Sequence, residues 1–159
     1  PEGTSLGIAA SGAETRYNPS FVACIAQVAV DKNSAAINVQ KLTCAIDAGI
    51  VINPDGVRAQ VEGSLMWGLS AALLEKMTLD NGHVAERNFD TYKWQNITKI
   101  PELEIHIVEN GIHPSGVGEP ATCVVAPAIG NAIFNATGVR LRSLPFSREE
   151  LFEGLEKKA

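Results

Sequence analysis

Glu119 has the strongest case for chemistry in this sequence, because it lies between two glycines and a proline in Gly-Val-Gly-Glu-Pro, residues 116–120. Glycines give the backbone unusual conformations and let a ligand approach closely. A carboxylate held in a tight, apolar turn can act as a general base, because burial raises the pKa of a carboxyl group. A carboxylate at the start of a helix is also favoured by the helix dipole. The residue types alone leave both interpretations open.

Histidine and cysteine do not supply a metal site. The histidines are His83, His106 and His113, and the cysteines are Cys24, Cys44 and Cys123. The histidines lack metal-ligand spacing, so we expect them to be ordinary surface residues. The cysteines lie far apart without a CxxC pair, which favours reduced, mostly buried thiols over a zinc, iron–sulfur or disulfide framework. No protein metal ligand is therefore expected.

The composition indicates one soluble-type domain of 159 residues, with 45% hydrophobic and 19% charged residues. A net charge of -5 argues against nucleic acid as the main partner. No stretch approaches the roughly 20 apolar residues of a membrane span. The chain opens with Pro1 and no signal peptide, so we expect a cleaved product or a fragment, and the compartment stays open between cytoplasm and periplasm.

A long helix is predicted to precede the Glu119 loop. Asn53 and Pro54 form a helix start, and apolar residues then recur every four positions, which predicts a helix over Pro54–Lys76. Gly63 and Gly68 lie inside it, and each costs about 1 kcal/mol relative to alanine. Glycines at these positions indicate a close neighbour, either a packed element or a ligand.

The strands are predicted from apolar runs. Phe21–Val30 is typical of a strand covered on both faces, and Ala36–Ile46 of its hairpin partner. The apolar phase of the second strand shifts near Gln40-Lys41, which predicts a bulge. Leu79–Gly82 predicts a short hairpin, because it contains Asn-Gly. Leu103–Ile107 alternates apolar and polar residues, as a half-buried strand does.

The remaining segments predict two further helices and one turn. One helix covers about Ala121–Ala136, with Gly138 as its C-cap and Pro127 in its first turn or at a kink. Ser147 begins a capping box for a last helix. Residues 1–19 are rich in Gly, Ser and Ala, with a turn at the Asn-Pro that ends them. The predicted class is α+β, with mixed sheet hairpins packed against two or three helices.

Several motifs in the same order resemble a known family. Asp-Ala-Gly-Ile-Val-Ile-Asn-Pro-Asp-Gly-Val-Arg-Ala-Gln-Val-Glu-Gly, residues 47–63, resembles a molybdopterin-contacting segment, and residues 116–120 resemble an active-site glutamate loop. Residues 88–92 and 128–145 also fit. The chain is similar to the molybdopterin-binding (large or β) subunit of the xanthine dehydrogenase and aldehyde oxidase family, in particular its isoquinoline 1-oxidoreductase β-subunit-like branch. The resemblance makes residues 1–159 the C-terminal part of a molybdopterin-binding domain, a fragment of the molybdenum cofactor-binding unit.

The resemblance implies roles for four residues. Glu119 corresponds to the family's catalytic base, and Gln60 to the glutamine that lies against the pyranopterin. Gly63 corresponds to a position of close backbone approach, and Gly118 shapes the loop. The metal of such enzymes is held by the pterin dithiolene, so the resemblance requires no ligand from the protein.

The resemblance also implies what this chain does not contain. Ser64 replaces a frequent glycine, and Ala48 a frequent cysteine. Family subunits are much longer, so the molybdopterin would be shared with missing upstream residues, and iron–sulfur clusters would be on a partner subunit. The implied substrate is a small aldehyde or N-heterocycle, oxidised with oxygen from water, and the chain alone would be inactive. The alternative is a non-catalytic remnant, or an assembly or binding module that retains the fold.

Overall fold

The computed structural model describes residues 4–14 and 19–158. Its main sheet consists of four strands, β1 (Thr4–Glu14), β2 (Pro19–Asp31), β3 (Ala36–Asp47) and β6 (Glu102–Val108). Their order in the sheet is β1-β2-β3-β6. A separate small hairpin consists of β4 (Leu79–Asp80) and β5 (His83–Val84). The helices are α1 (Pro54–Leu73), α2 (Thr122–Thr137) and α3 (Arg148–Glu156), with a 3-10 turn at Ile97–Lys99.

The main sheet is mixed. Strands β1, β2 and β3 pair antiparallel, whereas β3 and β6 pair parallel. A parallel pair needs a crossover connection, and α1 lies within the connection from β3 to β6. Helices α1 and α2 pack against each other, and α2 also contacts β1 and β2. The predicted α+β class, with mixed sheet hairpins and three helices, is confirmed.

The predicted bulge in β3 is confirmed. Gln27 pairs with Lys41, but the next residue, Val28, pairs with Val39. Gln40 is therefore the extra residue, and its side-chain oxygen accepts a hydrogen bond from Gln27 Nε2 at 3.1 Å. The bulge keeps the apolar side chains of β3 on the inner face of the sheet along its whole length.

The prediction that β2 is covered on both faces is wrong for the residues that the structure describes. Val22, Cys24 and the alternate residues that follow them are buried against the helices. On the opposite face, Phe21 is 51% exposed and Ile25 is 38% exposed. The helices cover only one face of this sheet, so a nearly continuous apolar run is left half uncovered.

Strand β1 was not predicted, because Gly, Ser and Ala have low β propensity. Contacts with α2 explain it. A Cβ on Gly7 would lie 2.2 Å from both Ala128 O and Ala132 N, so only glycine lets the strand approach the helix so closely. The side-chain amides of Asn131 and Asn135 donate to main-chain carbonyls of β1 at 2.9 and 2.8 Å. These two bonds also occupy groups that an edge strand would leave open.

The predicted helix boundaries mostly hold. Asn53 caps α1 by accepting a hydrogen bond from Gly56 N at 3.0 Å, but the helix ends at Leu73 and not at Lys76. Gly138 ends α2 with a φ of 71°. Pro127 is the sixth residue of α2, so it lies beyond the first turn.

The other predicted turns are found where the described residues include them. Ser147 caps α3 by accepting from Glu150 N at 3.2 Å, and Leu151 of that helix is fully buried. Asn81 and Gly82 connect β4 and β5 with positive φ angles of 47° and 81°. The turn predicted at the Asn-Pro pair lies partly outside the described residues.

Candidate cofactor and active site

Helices α1 and α2 cross at Gly68. A Cβ there would lie 2.8 Å from Thr122 O and 2.8 Å from Val125 Cβ, both on α2. Of the two explanations for glycine in α1, a packed element therefore applies to Gly68. The close crossing brings the beginning of α2, and the loop before it, onto the side of α1.

The Glu119 loop is tied to α1 one turn before that crossing. Ser64 Oγ donates a hydrogen bond to Gly118 O at 2.5 Å. Thr122 Oγ1 donates to Ser64 O at 3.2 Å, and Thr122 N donates to Glu119 O at 2.9 Å. Three hydrogen bonds thus join α1, the loop and the first residue of α2.

The beginning of the loop is tied to the sheet. The hydroxyl of Ser20, which is buried in β2, donates to Gly116 O at 2.6 Å and lies 2.7 Å from Ser115 Oγ. A hydroxyl has one proton, so Ser115 is the donor in the second contact. Ser115 N also donates to Ala48 O at 2.9 Å. The loop is therefore fixed at both ends.

The turn between β3 and α1 lies beside this loop. Asp47 Oδ1 accepts a hydrogen bond from Gly49 N at 3.1 Å, which stabilises the turn. Ile50 N donates to Ile112 O at 3.0 Å. Gly49 has a φ of +78°, and a Cβ there would lie 2.3 Å from His113 O. Only glycine combines this backbone angle with this contact.

A shallow depression of about 320 Å³ lies between the turn, α1 and the loop. Its walls include Ile52, Val57, Gln60 and Val117. Gln60 is exposed, and its amide has no hydrogen-bond partner among residues 4–14 and 19–158. Because Ser64 follows Gln60 by one helical turn, the bond from Ser64 to Gly118 places the Glu119 loop next to Gln60.

Gly63 and Gly118 both border open space. Apart from its chain neighbours and, for Gly63, the adjacent backbone of α1, a Cβ built on either glycine would meet no atom of the described chain within 4 Å. Packing within this chain therefore does not explain glycine at these two positions, in contrast to Gly68. They leave room for a group from outside the chain to approach the backbone.

Glu119 itself is exposed. No Lys, Arg or His nitrogen of the described residues lies within ion-pair distance of its carboxylate. Helix α2 begins at Thr122 and has no acidic residue in its first turn. The helix dipole acts mainly within that turn, so it does not account for Glu119. The apolar burial expected of a general base is not supplied by the part of the chain that is described.

The predicted site residues therefore lie together. Gln60 and Gly63 share the exposed side of α1, and Gly118 and Glu119 belong to the loop bonded to that helix. The sequence did not indicate Ser20, Ser115 and Thr122 as the residues that hold the loop. Ser64 could have been predicted to lie near Gln60, because it follows Gln60 by four residues in a predicted helix.

The thiols differ in their surroundings. Cys24 and Cys44 are fully buried and face each other across β2 and β3. Burial raises the pKa of Cys44 to about 11; burial, together with the nearby Cys44, raises the pKa of Cys24 to about 12. Cys123 is exposed in the first turn of α2. The expectation of mostly buried thiols is confirmed for two of the three.

We expect iodoacetamide at pH 8 to modify Cys123 alone in the folded chain. The thiolate is the reactive form, and the raised pKa values and burial keep Cys24 and Cys44 as neutral, inaccessible thiols. Mass spectrometry should show one added group before denaturation and three after it. Rapid labelling of Cys24 or Cys44 in the folded chain would contradict the buried pairing of β2 with β3.

Residues 8–101 match the family model described as "Molybdopterin cofactor-binding domain". The chain belongs to this family. It is 44% identical over 156 residues to a membrane-bound aldehyde dehydrogenase (pyrroloquinoline-quinone) of Gluconacetobacter polyoxogenes, and these cover 98% of this chain and 20% of that protein. It is 35% identical to isoquinoline 1-oxidoreductase subunit beta of Brevundimonas diminuta, over 87% of this chain and 18% of that protein.

Solved structures agree with this molybdopterin-binding family. The fold superposes on the aldehyde oxidoreductase of Desulfovibrio gigas with a TM-score of 0.75 and 31% identity, covering 87% of this chain and 16% of that one. The resemblance drawn from the motifs is confirmed. The chain spans about a fifth of the length of these relatives, and Glu119 lies beyond the segment that the family model matches.

Two further properties of this family member follow from the described residues. No group of three or more His, Cys, Asp or Glu side chains within residues 4–14 and 19–158 could hold a metal ion. Within the same ranges, no helix is long and apolar enough to cross a membrane.

Proposed function

We propose that residues 1–159 form the C-terminal part of the molybdopterin-binding domain of a molybdenum hydroxylase. In this proposal Glu119 is the general base, and Gln60, Gly63 and Gly118 lie against the cofactor. The observation that carries the proposal is the hydrogen bond from Ser64 to Gly118 O. It holds the glutamate loop one helical turn from Gln60, within a chain whose first part matches a molybdopterin-binding family.

The residues present fit one side of a pterin group. The amide of Gln60 offers a donor and an acceptor, and both are unused by the described chain. Gly63 and Gly118 leave space in which a flat ligand could contact the backbone. The bound cofactor would supply the redox centre that takes two electrons from the substrate. Metal ligands from the protein are not needed if the pterin holds the metal, as the resemblance implies.

The proposed reaction converts an aldehyde and water into a carboxylic acid, two protons and two electrons. A carboxylate oxygen of Glu119 accepts a proton from the attacking oxygen, which makes that oxygen a better nucleophile. An N-heterocycle would be hydroxylated at an electron-poor carbon with the same balance. The electrons would leave through iron–sulfur clusters on a partner subunit. One matched relative is itself named as a subunit.

The exposure of Glu119 indicates that this chain provides only part of the site. A general base works best in a pocket that excludes water, and the depression beside Gln60 is open on one side. The rest of the molybdopterin subunit would complete it. We therefore propose that the isolated chain is inactive. The alternative is a non-catalytic remnant, or an assembly or binding module that retains the fold, and turnover by the completed subunit would exclude it.

Cofactor analysis of the chain, alone and co-expressed with an upstream molybdopterin-subunit segment, tests the proposed function. We expect molybdenum and pterin in the combined preparation, and oxidation of an aldehyde or N-heterocycle by an artificial electron acceptor. Pyrroloquinoline quinone should also be measured, because the name of one relative includes it. Quinone without molybdenum would contradict the proposal. If the isolated chain contained stoichiometric molybdenum and turned over substrate, the proposal that it provides only part of the site would be wrong.

Gly63→Ala should separate stability from cofactor binding. Alanine in an exposed helix interior should raise the free energy of unfolding of the isolated chain by about 0.5–1 kcal/mol, because the new Cβ meets no atom of the described chain. In the assembled subunit the same methyl should lower the pterin content. Chemical denaturation and cofactor analysis measure the two effects.

Gly68→Ala is the matched control in the same helix. Its Cβ would collide with α2, so the isolated chain should lose stability. If Gly63→Ala leaves the pterin content of the assembled subunit unchanged, the proposed cofactor contact at Gly63 is wrong.

A further inference from the structure

We propose that Ser64 is a positioning residue that holds Glu119 at the angle needed for proton transfer. This inference rests on the proposed function of Glu119 as the base. Ser64 is 2% exposed, and its hydroxyl donates to Gly118 O at 2.5 Å.

The hydrogen bond acts directly on the peptide that leads into Glu119. Gly118 O and Glu119 N belong to one planar peptide unit. The hydrogen bond from Ser64 to that oxygen therefore restricts the orientation of the peptide plane next to the Cα atom of Glu119. On the other side of the residue, Glu119 O accepts from Thr122 N at 2.9 Å. Both peptide units that flank Glu119 are therefore anchored.

At Gly118 itself, the hydrogen bond from Ser64 is the contact that holds the loop within the described residues. Gly118 has no side chain, and a Cβ there would find no neighbour within 4 Å. The side chain of Glu119 is exposed, and its carboxylate makes no hydrogen bond or ion pair within the described residues. A glycine that lacks packing can adopt many backbone conformations. The hydroxyl of Ser64 restricts them, and Thr122 Oγ1 in turn binds Ser64 O at 3.2 Å.

Ser64→Ala in the assembled enzyme should lower kcat about 10- to 100-fold with little change in KM, because misplacing a catalytic group by about 1 Å can cost that much. Ser70→Ala is the matched control. Ser70 is also buried in α1, and its hydroxyl accepts a hydrogen bond from Gln95 N at 2.9 Å, which is outside the Glu119 loop. It should change kcat less than twofold.

The second readout uses the isolated chain and needs no cofactor. The amide of Thr122 donates to Glu119 O, so its hydrogen exchange reports whether the loop is docked. Ser64→Ala should speed this exchange at least about 10-fold, whereas Ser70→Ala should not. The positioning role is overturned if Ser64→Ala fails to exceed Ser70→Ala in either the exchange or the kcat measurement. If Glu119→Gln retained full activity, the base assignment itself would fail, and the exchange result would still report the loop contact.

Discussion

Glu119→Gln should lower kcat of the assembled enzyme about 10²–10⁴-fold, the usual contribution of a general base. The amide keeps the size of the side chain but cannot accept the proton as a carboxylate does. Cofactor content should stay unchanged, since Gln60, Gly63 and Gly118 are untouched. Steady-state kinetics with an aldehyde, normalised to molybdenum content, measures the effect.

The same substitution should leave the isolated chain as stable as before, within about 0.5 kcal/mol. Glu119 is exposed and makes no ion pair within the described residues. It also lies outside the first turn of α2. A large loss of activity without loss of stability would separate a catalytic carboxylate from one that only begins a helix.

Glu156→Gln is the control for this experiment. Glu156 is also an exposed carboxylate, but it lies on α3, outside the Glu119 loop and outside the segments proposed to contact the cofactor. It should keep nearly full activity, so a general effect of removing negative charge would be recognised. A wild-type rate for Glu119→Gln would disprove the proposed base.

Local signals in the sequence were enough for the helices and for the central strands. The cap at Asn53, the glycine at position 138 and the shift in the apolar phase at Gln40 each act over a few residues, and each was found where expected. Strand β1 was missed because its stability comes from a distant helix. Gly7 is a poor strand former on its own, and it becomes the required residue only when α2 lies against it.

The arrangement of the candidate site could be predicted only in part for the same reason. The Gly-rich loop and the glutamine segment are visible as motifs, but their contact depends on how α1 crosses α2. Ser64 and Thr122 are 58 residues apart in the chain, with the β4–β5 hairpin and all of β6 between them, so no local pattern pairs them. The exposure of Phe21 likewise depends on which elements cover the sheet. A run of apolar residues in the sequence does not show whether one face or both faces of a strand are covered.

The glycines near the candidate site and in the core differ in what surrounds them. Gly68 and Gly7 are required by contacts inside the chain, whereas Gly63 and Gly118 face space that the chain leaves empty. This contrast within one residue type supports the proposed cofactor side better than the presence of the motifs alone. It also agrees with a chain that spans only a fifth of its relatives.

The second large effect is expected from Gly49→Ala, which should lower the free energy of unfolding by about 2–5 kcal/mol. A left-handed backbone costs alanine roughly 1–2 kcal/mol, and overpacking against other atoms costs about 1–3 kcal/mol more. The φ of Gly49 is +78°, and its Cβ would lie 2.3 Å from His113 O. Denaturation in urea, followed by circular dichroism, measures the loss.

Gly82→Ala isolates the backbone contribution. Gly82 has a similar φ of +81°, but a Cβ there meets nothing within 4 Å, so only the loss of about 1–2 kcal/mol from the left-handed conformation should appear. Equal losses for the two variants would contradict the close contact between the turn after β3 and the segment leading to Glu119. A larger loss at Gly49 would agree with close packing between this turn and the segment that leads to the Glu119 loop, where Ser115 N is bonded to Ala48 O.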